Sequence, residues 1–105
     1  MIIYDSEYRF IGVTNSTIKK LNFPSFLALK YKIKDDFAEL FIKKNGFIYK
    51  FDYLSWIDYI LQNPNNSNAI IKAGDNNFYK LTFTIEPYYF FESGDKGYSL
   101  NISSM

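Results

Sequence analysis

The sequence predicts an α+β domain: a five-stranded antiparallel sheet with short helices packed on one face. Three observations lead there. The last third alternates apolar and polar residues, most clearly from Phe78 to Glu86, as a half-buried antiparallel strand does. The middle instead carries apolar residues at helical spacing behind capping residues. Two strand pairs flank those helices. A lone hairpin is marginal in water, so the two pairs are expected to share one sheet.

Each element follows from local chemistry. Ile2 to Tyr4 is a short strand, and Asp5-Ser6-Glu7 supplies turn residues. Arg9 to Thr14 is a second strand, with Ile11 and Val13 on one face. Asn15 or Ser16 can cap a helix carrying Ile18 and Leu21, with Lys19 and Lys20 toward water. Asn22 suits the left-handed residue that ends a helix. Pro24-Ser25 opens a further helical turn, Phe26 to Leu29. Asp35-Asp36 reads as the start of a third helix rather than a metal site. Asp36 and Glu39 approximate a capping box there, and Phe37, Leu40 and Phe41 form the apolar stripe.

Asn45-Gly46 between apolar runs signals a small hairpin or tight loop. Ser55 caps the best helix, on which Trp56, Tyr59 and Ile60 share a face, and Asn63-Pro64 ends it. Asn68 to Ala73 is a strand and Gly74 to Asn77 a turn. In the next strand Tyr79, Leu81, Phe83 and Ile85 share one face. Pro87 interrupts it, with an edge or bulged extension through Tyr88 to Phe91 as the alternative. After the turn Ser93 to Gly97, Tyr98 to Ser103 is the last strand.

Composition narrows the function classes. The 105 residues make one domain. With 12 basic and 11 acidic residues the net charge is +1, so nothing electrostatic calls for nucleic acid or an anionic membrane. Arg9 is the only Arg, which counts further against phosphate or guanine reading. There is no Cys and no His. That removes disulfides, a thiolate nucleophile, the usual general base and the commonest metal ligands. No constellation of Asp, Glu, Lys or Tyr suggests an enzyme. No apolar run approaches the roughly 18 residues of a membrane span, and Met1 leads into the strand-like Ile2-Ile3-Tyr4 with no visible signal-peptide pattern; cytoplasm is the expected location.

YRFIGVTNSTIKKLNF, residues 8–23, resembles the start of a PAS domain, where the second strand runs into an Asn and a short helix. Asn22-Phe23 stands where that family commonly has Gly and an aromatic. NAIIKAGDNNFYKLTFTIEP, residues 68–87, resembles the family's long hairpin. Gly97-Tyr98 resembles the entry to its last strand, and Asn101-Ile102-Ser103 the Asp-Ile-Thr signature that closes many of its members. The resemblance covers essentially the whole chain, with Lys43 to Leu54 departing from the common pattern.

The resemblance implies a sensory or interaction module of bacterial type. It implies a single domain over residues 1–105, a fragment of a larger protein in two-component or cyclic-nucleotide signalling. A homodimer is expected, with relay through Asn101, Ile102 and Ser103 to an output domain: a kinase, cyclase, regulator or chemoreceptor. A ligand in such a domain sits between helices and sheet, here among Phe37, Phe41, Trp56, Tyr59, Ile60, Tyr79, Leu81 and Phe83. Without Cys there is no flavin adduct, and without His or Cys no haem held by either. Noncovalent FAD or a small metabolite stays open, as does a ligand-free interaction module. Trp56 could stack on a planar ligand, but the reading favours a core anchor. The run Phe47, Tyr49, Phe51, Tyr53 could line a pocket or, more in keeping with its pattern, cover the core. Tyr88 to Phe91 could be a partner surface or a strand extension.

Overall fold

The structure is a computed structural model that describes residues 1–34, 36–51 and 54–104. The expectations placed on Asp35 and Tyr53 lie outside the described residues. In chain order the elements are β1 (Ile2–Tyr4), β2 (Phe10–Val13), α1 (Asn15–Lys20), α2 (Phe26–Ile33), a 3-10 turn (Phe37–Leu40), α3 (Trp56–Gln62), β3 (Asn68–Lys72), β4 (Phe78–Tyr89) and β5 (Lys96–Ser104).

The five strands form one open sheet in the order β2-β1-β5-β4-β3, antiparallel throughout. β5 lies between the N-terminal and C-terminal strand pairs and joins them. Its register sets Leu100 beside Ile2 on one side and Ile85 on the other. Ile2, Leu100, Leu81 and Phe83 on the sheet, with Ala69 and Ile71 of β3, meet Ile18, Leu29, Ile33, Phe37, Trp56 and Ile57 from the helical layer in one buried cluster. The opposite face carries Lys80, Thr82, Thr84 and Glu86 of β4, as the alternation predicts.

The helix starts differ in detail from the expectation. Thr14, not Asn15 or Ser16, occupies the cap position of α1, and its side chain makes no capping bond. Its hydroxyl instead accepts from the Met1 amino group at 2.6 Å, tying β1 to the helix start. α2 runs on to Ile33 rather than stopping at Leu29, because Leu29 and Ile33 fall four apart and both bury. Ser25 caps it, accepting from the Ala28 N–H at 3.1 Å. Only half of the expected capping box forms. Asp36 accepts from the Ala38 N–H, while the Glu39 carboxylate turns to Lys50 at 3.4 Å. Asn22 takes the left-handed conformation, φ 60°, as its type permits.

Two β regions settle between the alternatives that the sequence left open. Asn45-Gly46 forms a tight turn but no hairpin, because its flanks pair with β3 instead of with each other. Phe41 bridges to Ile71, the Ile42 N–H donates to the Ile70 carbonyl at 2.8 Å, and the Ile48 N–H donates to the Asn68 carbonyl at 2.9 Å. Residues 41–48 thereby cover the outer edge of β3. At Pro87 the extension is what forms: β4 continues past it to Tyr89 opposite Lys96, two residues short of Phe91. The pairing with β3 stops at Thr82, so at Pro87 one side of the strand is open and a missing N–H costs the ladder nothing there.

Candidate functional site

The helix-facing side of the sheet is filled by rings. Trp56 enters from the start of α3, whose cap Ser55 accepts from the Ile57 N–H at 3.2 Å. Phe37 and Phe41 come from the 3-10 turn and its exit, and Phe83 from the centre of β4. Ring centroids lie 5.0 Å apart for Phe41 and Trp56, 5.1 Å for Trp56 and Phe83, and 6.0 Å for Phe37 and Phe83. These are contact separations with edge-on and tilted geometry, worth about 0.5–1.5 kcal/mol per pair beyond area burial. Trp56 is only 4% exposed, and Phe37, Phe41, Ile60, Leu81 and Phe83 are buried with it.

Of the eight expected pocket residues, six thus converge on one core. Tyr59 is half-buried at its margin, its ring 4.9 Å from Phe51. Tyr79 is placed elsewhere. It lies at the turn end of β4, 37% exposed, and its hydroxyl donates to Asp75 at 2.6 Å. The period of the strand put it on the correct face, but it reaches the exit of α1, where its hydroxyl also accepts from Asn22 Nδ2 at 3.3 Å, and not the ring cluster.

A polar cluster that the sequence reading missed borders the rings. The Tyr4 hydroxyl donates to Asp36 Oδ1 and accepts from the Phe37 N–H at 3.3 Å. Trp56 Nε1 donates to Asp36 Oδ2 at 2.9 Å. One carboxylate therefore ties β1, the 3-10 turn and α3. Burial first, and then the Asp36 carboxylate, push the Tyr4 hydroxyl well above its ordinary value, so it stays a donor. Tyr8 extends the cluster: its ring stacks on Tyr98 at 5.6 Å and its hydroxyl donates to Asp58 at 3.2 Å. Its pKa is pushed up to about 12, by burial first and then by Tyr98 and Asp58. An open cleft of about 280 Å³ lies over the cluster, lined among others by Tyr8, Asp36, Lys50, Phe51, Ser55 and Trp56. With both Asp36 oxygens already accepting, the arrangement positions elements rather than presenting a free base.

The sequence held one signal for this cluster. A Tyr in a short apolar strand that becomes buried must find a partner for its hydroxyl, and the structure buries Tyr4 fully. The partner is 32 residues away, beyond any local pattern.

The expected relay residues lie on β5 and face two ways. Ile102 is half-buried, packed against the core, while Asn101 and Ser103 are exposed on the opposite face. Lys20 at the end of α1 donates to the Ile102 carbonyl at 2.7 Å. In the aromatic run at the end of β4, Tyr88 and Tyr89 extend the strand and Phe91 is 100% exposed. Phe91 lines a cleft of about 640 Å³ between the β1-β2 and β4-β5 turns, together with Asp5, Glu7, Arg9, Glu92 and Lys96.

Among the described residues no group of three or more acidic side chains is placed to hold a metal ion, and no helix is long and apolar enough to cross a membrane. In comparisons with protein families, curated proteins and solved structures, nothing matches this chain.

Proposed function

We propose that this chain is a PAS-like protein-interaction module of a signalling protein, working with a filled interior rather than around a bound cofactor. The observation that carries the reading is the packing of Phe37, Phe41, Trp56 and Phe83. Their rings touch in the space where a ligand between helices and sheet would lie. Interiors pack to crystal density, and displacing such rings for a planar molecule would give up contacts already made. The order of elements and the one-sided helical cover agree with the resemblance carried by residues 8–23 and 68–87. On this reading the working surface is outside the core. Relay to an output domain through β5, and self-association as a homodimer, belong to the same proposal.

Absorbance and native mass of the purified protein test it. The expected result is a spectrum of Tyr and Trp alone, with masses of the bare polypeptide or twice that value. A visible chromophore, or a mass increment that leaves on denaturation, would restore the ligand-sensing reading.

A further inference from the structure

The two edges of the sheet are treated differently. Residues 41–48 cover β3, whereas among the described residues β2 has a neighbour on one side only. The Thr14 N–H donates to the Met1 carbonyl at 2.9 Å. In an antiparallel ladder the inward-bonding residues alternate, so Val13 turns its own N–H and C=O toward the open side. A register shift between Ile3 and Tyr4 leaves Ile11 without a pairing partner on β1, and its side chain is exposed. α2 runs beside this edge. Between them lies a groove of about 320 Å³ with Phe10 and Ile11 on one wall and Phe26 and Ile33 on the other, rimmed by Lys30 and Lys34.

The groove has a definite charge. α2 contains no acidic residue. Among the described residues Lys30 and Lys34 make no ion pair, and no carboxylate lines the groove. Next to it on α2, Leu27 is 72% and Tyr31 81% exposed. Among the described residues, an open strand edge, apolar walls and two cations without an ion pair together match one kind of occupant.

We propose that the β2 edge and the α2 groove dock an extended peptide segment of a partner protein that carries apolar and acidic side chains on the face turned to α2. The segment adds a sixth strand beside β2. On the face turned to α2 its side chains are apolar and acidic by turns, the apolar ones entering between Ile11 and Phe26 and the carboxylates meeting Lys30 and Lys34. A second copy of this chain fits less well: symmetric pairing of two β2 edges would turn the lysines of one copy toward those of the other. The proposal rests on the interaction-module reading and names the surface that reading leaves open.

The test uses a fluorescein-labelled peptide of repeating valine-threonine-glutamate-threonine, which sets valine and glutamate on one strand face, followed by anisotropy. Its comparators are the same peptide with lysine for glutamate and a backbone N-methylated form of the valine-glutamate peptide. The valine-glutamate peptide is expected to bind, to shift the amide signals of Ile11 to Val13, and to weaken with salt. The N-methylated form loses the ladder donors and should not bind. The double variant Lys30→Glu, Lys34→Glu should weaken the acidic peptide about tenfold or more and favour the lysine peptide. Both lysines are exposed, and unchanged Trp56 emission checks that the variant is folded. Absence of binding, equal binding of both charge types, unchanged affinity in the double variant, shifts mapping to Tyr89 to Phe91, or β2-edge dimerisation would each overturn the proposal. A bound small molecule in the native mass would remove the interaction-module reading without touching peptide binding, so the two failures are distinguishable.

Discussion

Replacing Trp56 with alanine is expected to destabilise the fold by about 3–5 kcal/mol. The indole is 4% exposed and meets Phe41, Phe83 and Tyr4 at ring-contact distance. Its removal opens a cavity that these rings, anchored on three different elements, cannot collapse to fill. It also takes the Nε1 donor from Asp36 Oδ2. Trp56→Phe separates the two losses. It keeps most of the packing and removes the donor, costing about 1–3 kcal/mol. Urea unfolding followed by circular dichroism measures both. A Trp56→Ala cost under about 1 kcal/mol, the range of a surface change, would mean that the ring cluster is not the core.

Gly74→Ala should cost about 2–4 kcal/mol, although it adds a single methyl group to the surface turn between β3 and β4. A Cβ at this position would lie 2.2 Å from the Asn22 carbonyl oxygen and 2.8 Å from the Phe23 Cα. Both are backbone atoms of the α1 exit. The turn cannot back away, because the Gly74 N–H donates to the Leu21 carbonyl at 2.9 Å, and Asn22 Nδ2 donates to Asp75 at 3.1 Å. Gly46→Ala is the comparator. Gly46 has φ 86° but open space around it, so only the conformational penalty of about 1–2 kcal/mol applies. If the two variants melt alike, the docking of the β3-β4 turn on α1 is not as tight as described.

The parts of the fold that were legible in the sequence are those that local rules determine. Strict alternation marked β4 and the buried pair Leu81 and Phe83. Ser55 and Asn63-Pro64 bracketed α3 to within a residue, and Asn22 sat where a left-handed residue was needed. What escaped depends on contacts between distant segments. Asp36 read as a helix cap, which it is, but its second task of holding Tyr4 and Trp56 joins residues 32 and 20 positions away. Asn45-Gly46 read as a small hairpin or a tight loop because its flanks are apolar. The flanks are apolar because they cover β3, and nothing local distinguishes the two cases. Tyr79 obeyed its strand period, yet the hairpin end carries it away from the rings to the α1 exit, where Asp75 and Asn22 hold its hydroxyl. The α2-β2 groove was invisible for the same reason: only the strand order reveals that β2 is an edge and that α2 lies along it.

The central claim is that rings, not a ligand, occupy the space between helices and sheet. Trp56 is the only tryptophan, so its emission reports on that space alone. Titration of the folded protein with FAD, corrected for absorbance by the flavin, tests the claim most directly. A filled interior predicts blue-shifted Trp56 emission that FAD leaves unchanged. Saturable quenching by FAD, altered in Phe37→Ala or Phe41→Ala, would contradict it.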